Sequence, residues 1–424
     1  MTSVGTSLDA EYEEARRRDA ADIDARWLRD RFHLPVGKDG RAKAYLAGQS
    51  LGAQPIVARA AVEDRLDAWA RLGVDGWFDG ERPWIDVERD LAAATGRLVG
   101  AAPEEVTTAN TLSIDLHLLL ASFFRPDGLR RRILIDAPTF PSDRYIVESQ
   151  LRHHGLDPDT DLIVVRPRAG EDLLRADDID EAVDRHRDEL AVTLLSGVNY
   201  ATGQVLDIAR HTTAAHAAGA IAIWDLAHGT GNIPLRLHDA DVDAAAWCTY
   251  KYLNSGPGAL AQLFVHERHA ADPATPRLAG WWGNDPASRF VMAERFEPGR
   301  GADGFRVSTP PILSLAPIAV SLAMFDEVGM PALRERSIAL TAELERMIDA
   351  YVPDAALITP RDPAERGSQL SIRVADAHTR LRRLAAFDVV GDVREPDLIR
   401  LAPVPMYCSF EDVVRAADAL AQTA

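Results

Sequence analysis

The sequence predicts an α/β protein: a mostly parallel central sheet covered by helices, followed by a smaller α+β module. Three observations carry that prediction. Short, almost continuously apolar runs recur between residues 131 and 265, as strands buried on both faces require. Helical patterns lie between several of them, the alternation that builds a doubly covered parallel sheet. After about residue 310 the order changes to two successive helices, two strands and a last helix.

Taken in order, residues 9–31 are charge-rich with Ala, Leu and Trp interspersed, and read as one helix. "FHLPVGKDGRAKAYLAGQSLG" then turns repeatedly at Pro and Gly, so residues 1–55 form an amino-terminal helix and an extended lead-in. The large domain spans 56–310. Its strand candidates are "RRILIDAP" (131–138), "LIVVRP" (162–167), "AVTLLSG" (191–197), "AIAIWD" (220–225), "DAAAWC" (243–248) and "ALAQLFV" (259–265). Helices are expected near 142–154, 177–188 and 207–218. The small domain, 311–424, opens with "PILSLAPIAVSLAMFDEVG" and "MPALRERSIALTAELERMIDAYV" as helices. It continues with "SQLSIRV" and "LIRLAP" as strands and "SFEDVVRAADALAQ" as a helix. A cleft between two such parts commonly holds a site.

At 424 residues, with 47% hydrophobic and 26% charged residues, the chain has the composition of a soluble globular protein. A net charge of −18 argues against nucleic acid as a partner. No apolar run approaches a membrane span of ~20 residues, and the charged N-terminus lacks the apolar stretch of a signal peptide. Cys248 and Cys408 are the only cysteines, which excludes a disulfide framework or a cysteine zinc cluster and fits the cytoplasm. No metal site is expected.

The basic residues are unevenly chosen. Of the 47, only Lys38, Lys43 and Lys251 are lysine. A lone lysine in "WCTYKYLNSGPG" therefore points to chemistry that arginine cannot perform, such as imine formation through a neutral amine, or else to a leftover surface residue. Its neighbours in the sheet sharpen the choice. A pyridoxal phosphate (PLP) site needs a lysine, a carboxylate for the pyridine nitrogen, phosphate donors and a group covering the ring. "IAIWDLAHG" ends a strand at Asp225, with His228 three residues on, although Asp225 taken alone reads more readily as a turn cap. Asn110–Ser113 precede an apolar helix and suit a phosphate, or serve only as an N-cap. "APTFPSDRY" offers Phe140 for stacking, with Ser142 and Asp143 at a helix start, and "SGVNYATGQ" offers the Ser196 hydroxyl. Motifs of competing chemistries, GxGxxG after a strand, GxxxxGK[ST], HExxH and GxSxG, are absent.

These segments resemble the kynureninases, fold-type-I PLP hydrolases of tryptophan catabolism. The resemblance runs from "YLAGQSLGAQP" to "LIRLAPVPMYCSF" and includes "ANTLSIDLHLL", "FPSDRY", "GVNYATGQ", "WDLAHGTGNIPL", "WCTYKYLNSGPG", "GWWGN" and "GFRVSTPPIL". It implies a fold-type-I architecture in which Lys251 forms the Schiff base and moves the substrate's Cα proton. Asp225 would pair with the pyridinium and Phe140 would stack on the ring, with Ser142, Asp143 and His228 around them. Leu112, Ser113, Ser196 and Tyr250 would hold the cofactor, chiefly its phosphate. Trp281 and Thr309 would complete that site from the second subunit of a homodimer. Arg400 would grip the substrate α-carboxylate, although by residue type alone it reads as a surface residue on a strand. Ser50 and Trp77 would also contact substrate. Tyr250 is the candidate acid for the last protonation.

The implied reaction is hydrolysis of the Cβ–Cγ bond of kynurenine to anthranilate and alanine. Trp77 and Thr309 match the bacterial pattern that favours kynurenine itself, whereas Asn284 stands where the family has His. Alternatives are another fold-type-I enzyme, such as an aminotransferase, a cysteine desulfurase or a selenocysteine lyase, and a non-catalytic relative. A desulfurase needs a mobile reactive cysteine, which neither Cys248 nor Cys408 resembles. A non-catalytic relative would have lost Lys251 or its partners.

Overall fold

The computed structural model describes residues 4–292 and 294–423. Its central sheet has seven strands: β1 (Val106–Ala109), β2 (Arg132–Asp136), β3 (Leu162–Val165), β4 (Leu190–Ser196), β5 (Ile221–Asp225), β6 (Ala244–Cys248) and β7 (Ala261–Val265). Their spatial order is β1-β7-β6-β5-β4-β2-β3. The strands β3, β2, β4, β5 and β6 are parallel, and β7 runs antiparallel to both of its neighbours. All six expected strands are present. The unexpected one, β1, is short and threonine-rich, so it lacks the apolar run that betrayed the others.

Burial explains the apolar strands. Every residue of β6 and β7 is buried, and helices Leu112–Phe123, Pro141–His153, Ala176–Arg185 and Ile208–Ala217 cover the sheet. Trp224 and Trp247 are wholly buried in it. Each indole N–H is satisfied, on the Thr212 hydroxyl and on Gln262 Oε1, both at 3.0 Å. Gln262 in turn donates to Thr95 and Thr108. Burying side chains of this size contributes on the order of 2–3 kcal/mol each once their polar atoms are paired.

The C-terminal part holds a second, antiparallel sheet of β8 (Ala356–Leu357), β9 (Leu370–Arg373), β10 (Asp392–Arg394) and β11 (Leu398–Leu401), in the order β8-β9-β11-β10. Helices Ile312–Val328, Met330–Tyr351 and Phe410–Gln422 match the expectation, whereas β10 and helix Ala377–Ala386 were not anticipated. That helix carries four arginine or histidine residues and buries only a narrow face around Ala377, Arg380 and Leu384.

The single helix expected over 9–31 is two, Val4–Ala21 and Ile23–Arg29. Asp22 separates them and pairs with Arg336. The break lets the segment fasten to the last helix at both ends. Asp19 accepts from the Phe410 and Glu411 N–H groups at 2.8 and 3.0 Å, and Arg29 pairs with Asp412 at 2.5 Å. Farther on, Ala44–Tyr45 pairs in parallel with Val389–Val390. Among the described residues no single helix is long and apolar enough to cross a membrane.

At the amino ends of the parallel strands, Asp243 gathers four partners. The ring nitrogens of His216 and His269 lie 2.8 and 2.6 Å away, the Ala222 N–H 2.7 Å and Arg268 2.6 Å. Burial opposes ionisation, but these donors hold the carboxyl well below the usual carboxylate range. The hydrogen bond to Asp243 conversely raises the His216 imidazole. A histidine raised in the folded state stabilises fully below its unfolded pKa, and that contribution fades as pH rises through the folded value. Asp243, being lowered, keeps its contribution until strong acid. His216→Ala should therefore lower the melting temperature more at about pH 5.5 than at about pH 9. Asp243→Ala should lower it at both, as differential scanning fluorimetry would register.

Candidate functional site

Strands β2, β4 and β5 end side by side, so their last residues, Asp136, Ser196 and Asp225, arrive at one edge of the sheet. Ser196 and Asp225 are direct register partners. Tyr250 and Lys251 follow the end of β6, and the starts of helices Leu112–Phe123 and Pro141–His153 face the same space. Together they enclose a cavity of about 220 Å³. The carboxyl edge of a parallel sheet is where α/β proteins place ligands.

Lys251 Nζ lies 3.0 Å from His228 Nε2 and 5.8 Å from the centre of the Phe140 ring. Burial, then the nearby charges of Lys251, Arg400 and Arg394, push the His228 imidazole well below its usual value. His228 is thus neutral and accepts from the lysine, while its buried Nδ1 has no partner among the described residues. Phe140 meets Tyr200 edge-on, with ring centres 5.1 Å apart.

Three carboxyl groups line the cavity. Asp225 Oδ1 accepts from the Ala227 N–H at 2.8 Å. Asp143, beside it, is pushed well above the carboxylate range by burial and then by the charge and hydrogen bonding of Asp225. Asp143 therefore keeps its proton, with Ser142 Oγ 3.1 Å from its Oδ1. Asp136 is also raised by burial, an effect offset by the Ser196 N–H and hydroxyl and by Asn199. The Ser196 hydroxyl, read from the sequence as a free donor, is committed to Asp136 at 2.5 Å.

Helix Leu112–Phe123 has no side-chain cap on its first turn, so the N–H groups at Leu112 and Ser113 suit an anion in the cavity. Tyr250 lines the cavity too. Burial, then Cys248 and Asp225, push its phenol upward, so the hydroxyl keeps its proton at neutral pH. A ring with a protonatable nitrogen, a phosphate and an amine-reactive carbon fits this donor set: carboxylate, uncapped helix start, stacking face and lysine.

Arg400, on β11, is no surface residue but wholly buried. Its Nε reaches Asp392 Oδ1 at 2.7 Å, its Nη1 the Tyr200 carbonyl at 2.6 Å and its Nη2 the Ser50 hydroxyl at 3.1 Å. Ser50 thus joins the site through Arg400. Trp281, Thr309 and Trp77 do not line the cavity of their own chain. Trp281 is 47% exposed, and Trp77 packs against Trp84 and Trp282. Asn284 is absorbed in its own loop, donating to Ser288 Oγ at 3.0 Å and accepting from the Glu297 N–H at 2.8 Å.

Sequence reasoning missed Asp136, Tyr200, Asp392 and Arg394. Asp136 had a usable signal, since "RILID" ends a strand in Asp just as "IAIWD" does. The other three had none, because strand β10 and the contact between the two sheets are long-range features.

Cys248 and Cys408 are both buried, and burial raises both thiols, Cys408 strongly. Neither is placed as a nucleophile. Similar solved structures include the cysteine desulfurase CsdA from Escherichia coli, with a TM-score of 0.76 and 16% identity over 94% of this chain and 98% of that one. A structure of C-DES with glycine covalently linked to its PLP cofactor gives 0.74 and 18% over 89% and 96%. The fold is therefore that of the fold-type-I PLP-dependent enzymes. At the level of sequence the likeness is narrower. The family model described as the kynureninase C-terminal domain matches residues 333–420. The kynureninase of Salinispora tropica is 50% identical over 98% of each chain, and that of Koribacter versatilis 48% over 97% of each. The chain belongs to the kynureninase family.

One backbone contact seats the lysine. The Gly52 N–H donates to the Tyr250 carbonyl at 2.8 Å, and a Cβ at Gly52 would stand 2.3 Å from the Lys251 carbonyl oxygen. Gly52→Ala must push the lysine loop aside, at about 1–3 kcal/mol. It should lower both the melting temperature and the affinity for PLP, the latter measured by absorbance titration.

Proposed function

We propose that this protein hydrolyses the Cβ–Cγ bond of L-kynurenine, or of a ring-substituted kynurenine, to anthranilate and L-alanine, with PLP as cofactor. The observation that carries this reading is the convergence of Lys251, the Asp225–Asp143 pair and Phe140 on one cavity, with Arg400 and Ser50 beside it. The names of the relatives agree with it. When bound, PLP supplies an amine-reactive carbonyl carbon and a ring that accepts electron density from a carbanion.

Each residue's task follows from its surroundings. Lys251 would hold the cofactor through Nζ, and its free amine would take the substrate's Cα proton and restore it at Cα once the Cβ–Cγ bond has broken. Neutral His228, accepting from Nζ, holds that amine over the site without competing as an acid. Asp225, with Asp143 and Ser142 behind it, keeps a protonated ring nitrogen paired, and Phe140 covers the ring face. Leu112 and Ser113 offer the helix start to the phosphate, whereas Ser196, its hydroxyl given to Asp136, braces the cavity wall beside the cofactor. Arg400 and Ser50 orient the α-carboxylate. Tyr250 keeps its proton at neutral pH and is the acid that delivers it to the alanyl β-carbon after the bond breaks.

Trp281 and Thr309 serve the neighbouring subunit's phosphate site, and Trp77 contributes to the substrate pocket across the same interface. Supporting this, Trp69, Val74, Phe78, Trp281, Val291 and Met292 are all exposed in the single chain, an apolar surface that a second copy would cover. Two buried, unpaired cysteines suit the cytoplasm.

Purified enzyme given kynurenine should release anthranilate and alanine in equal amounts. Lys251→Ala should abolish turnover and the visible absorption of the lysine-bound cofactor. If alanine never appears with kynurenine or a ring-substituted analogue, the hydrolase assignment is wrong. For the dimer, Lys251→Ala and Trp281→Ala proteins should each be inactive alone. Mixed and re-equilibrated in equal amounts, they should regain about a quarter of wild-type activity, since half the dimers then hold one intact site. A mixture as dead as its parts would place Trp281 in its own chain's site.

A further inference from the structure

We infer that Asp392 is a positioning residue for Arg400, and that Arg394 shares Asp392 so that the cluster retains a positive charge for the substrate α-carboxylate. This rests on the function proposed above. Asp392 on β10 stands directly opposite Arg400 on β11 in the antiparallel register. Its two oxygens take Nε and Nη2 of Arg400, a side-on grip that fixes the guanidinium plane. Ser50 bonds to the same carboxylate and to Nη2. The Nη1 end is thereby directed to the Tyr200 carbonyl, and Tyr200 lines the cavity. Arginine carries five N–H donors; Asp392, Ser50 and the Tyr200 carbonyl take four of them, and the second Nη1 N–H, at the end away from Asp392, is left for a carboxylate.

The charge balance requires a third member. Arg400 is wholly buried, and a buried guanidinium without a counter-ion is strongly unfavourable, so Asp392 is needed to keep it there. Paired with Asp392 alone, however, Arg400 would be electrically neutralised and a poor partner for an anion. Arg394 lies two residues along β10, on the same face as Asp392, with Nη2 3.3 Å from Asp392 Oδ2. Two arginines on one carboxylate leave one net positive charge, adjacent to the His228 and Lys251 side of the cavity. Although burial opposes it, Arg400 and Ser50 keep the Asp392 carboxyl below its usual range, so the balance persists throughout the neutral region.

The test uses two ligands, kynurenine and kynuramine, the latter identical except that it lacks the α-carboxylate. Steady-state kinetics give kcat and KM for kynurenine, which the enzyme turns over, and competitive inhibition gives the affinity for kynuramine. Asp392→Asn should raise KM for kynurenine at least about tenfold, with kcat changed far less and kynuramine binding unchanged. Arg394→Gln, a more exposed site, should raise that KM about threefold or more, again sparing kynuramine. Should Asp392→Asn fail to fold, the Arg394→Gln arm decides. An unchanged KM for kynurenine in these variants overturns the inference, as does an equal loss of kynuramine affinity, which would mark general damage to the cleft. Wild-type protein that releases no anthranilate sinks the proposed function instead, and the comparison of the two ligands separates the cases.

Discussion

Three carboxyl groups buried within one cavity set the central constraint of this structure. Like charges brought together out of water cannot all ionise, and each of Asp136, Asp143 and Asp225 meets that problem differently. Asp136 is saturated by Ser196 and Asn199 and acts as a brace between neighbouring strands. Asp143, pushed well above the carboxylate range by burial and by Asp225, holds a proton. Asp225 is left with one N–H partner, from Ala227, and is the carboxylate free to face a ligand. A cationic ring nitrogen and Lys251 are the natural complement to that arrangement.

The two ends of the parallel sheet divide the work. At the amino ends Asp243 is fully partnered by histidine, arginine and backbone, and its role is to hold strands and loops together. At the carboxyl ends polar groups are under-paired: among the described residues His228 Nδ1 has no partner, and the helix at Leu112 has no side-chain cap. Unspent hydrogen-bonding capacity in a buried place destabilises a protein unless a ligand uses it. Here that capacity adjoins Lys251 and the carboxyl ends of the strands, where a ligand would use it.

The second sheet reaches the site chiefly through Arg400. Arg400 connects Asp392 on its neighbouring strand, Ser50 on the lead-in segment and the Tyr200 carbonyl on the large sheet's loop. The lead-in is itself fastened to the C-terminal part through Ala44–Tyr45 and Ala47. A substrate held by its α-carboxylate would therefore be gripped by three separate stretches of chain, which is a geometric requirement for orienting the bond to be broken.

Local pattern was enough to read the six apolar strands, the covering helices and the strand-end residues Asp225 and Lys251, because burial on both faces forces an apolar composition and strand ends carry the polar exceptions. The scarcity of lysine isolated Lys251 before any fold was known, and the family resemblance named the chemistry. What the chain alone did not disclose depends on contacts between distant segments. The commitment of the Ser196 hydroxyl to Asp136, the protonation of Asp143 beside Asp225, and the burial of Arg400 against Ser50 and Tyr200 all join residues far apart in sequence. Residue type says that a group can ionise or donate. Only the tertiary structure decides whether it does so, because desolvation and the nearest charge, not composition, set the protonation state and the free donors of a buried side chain.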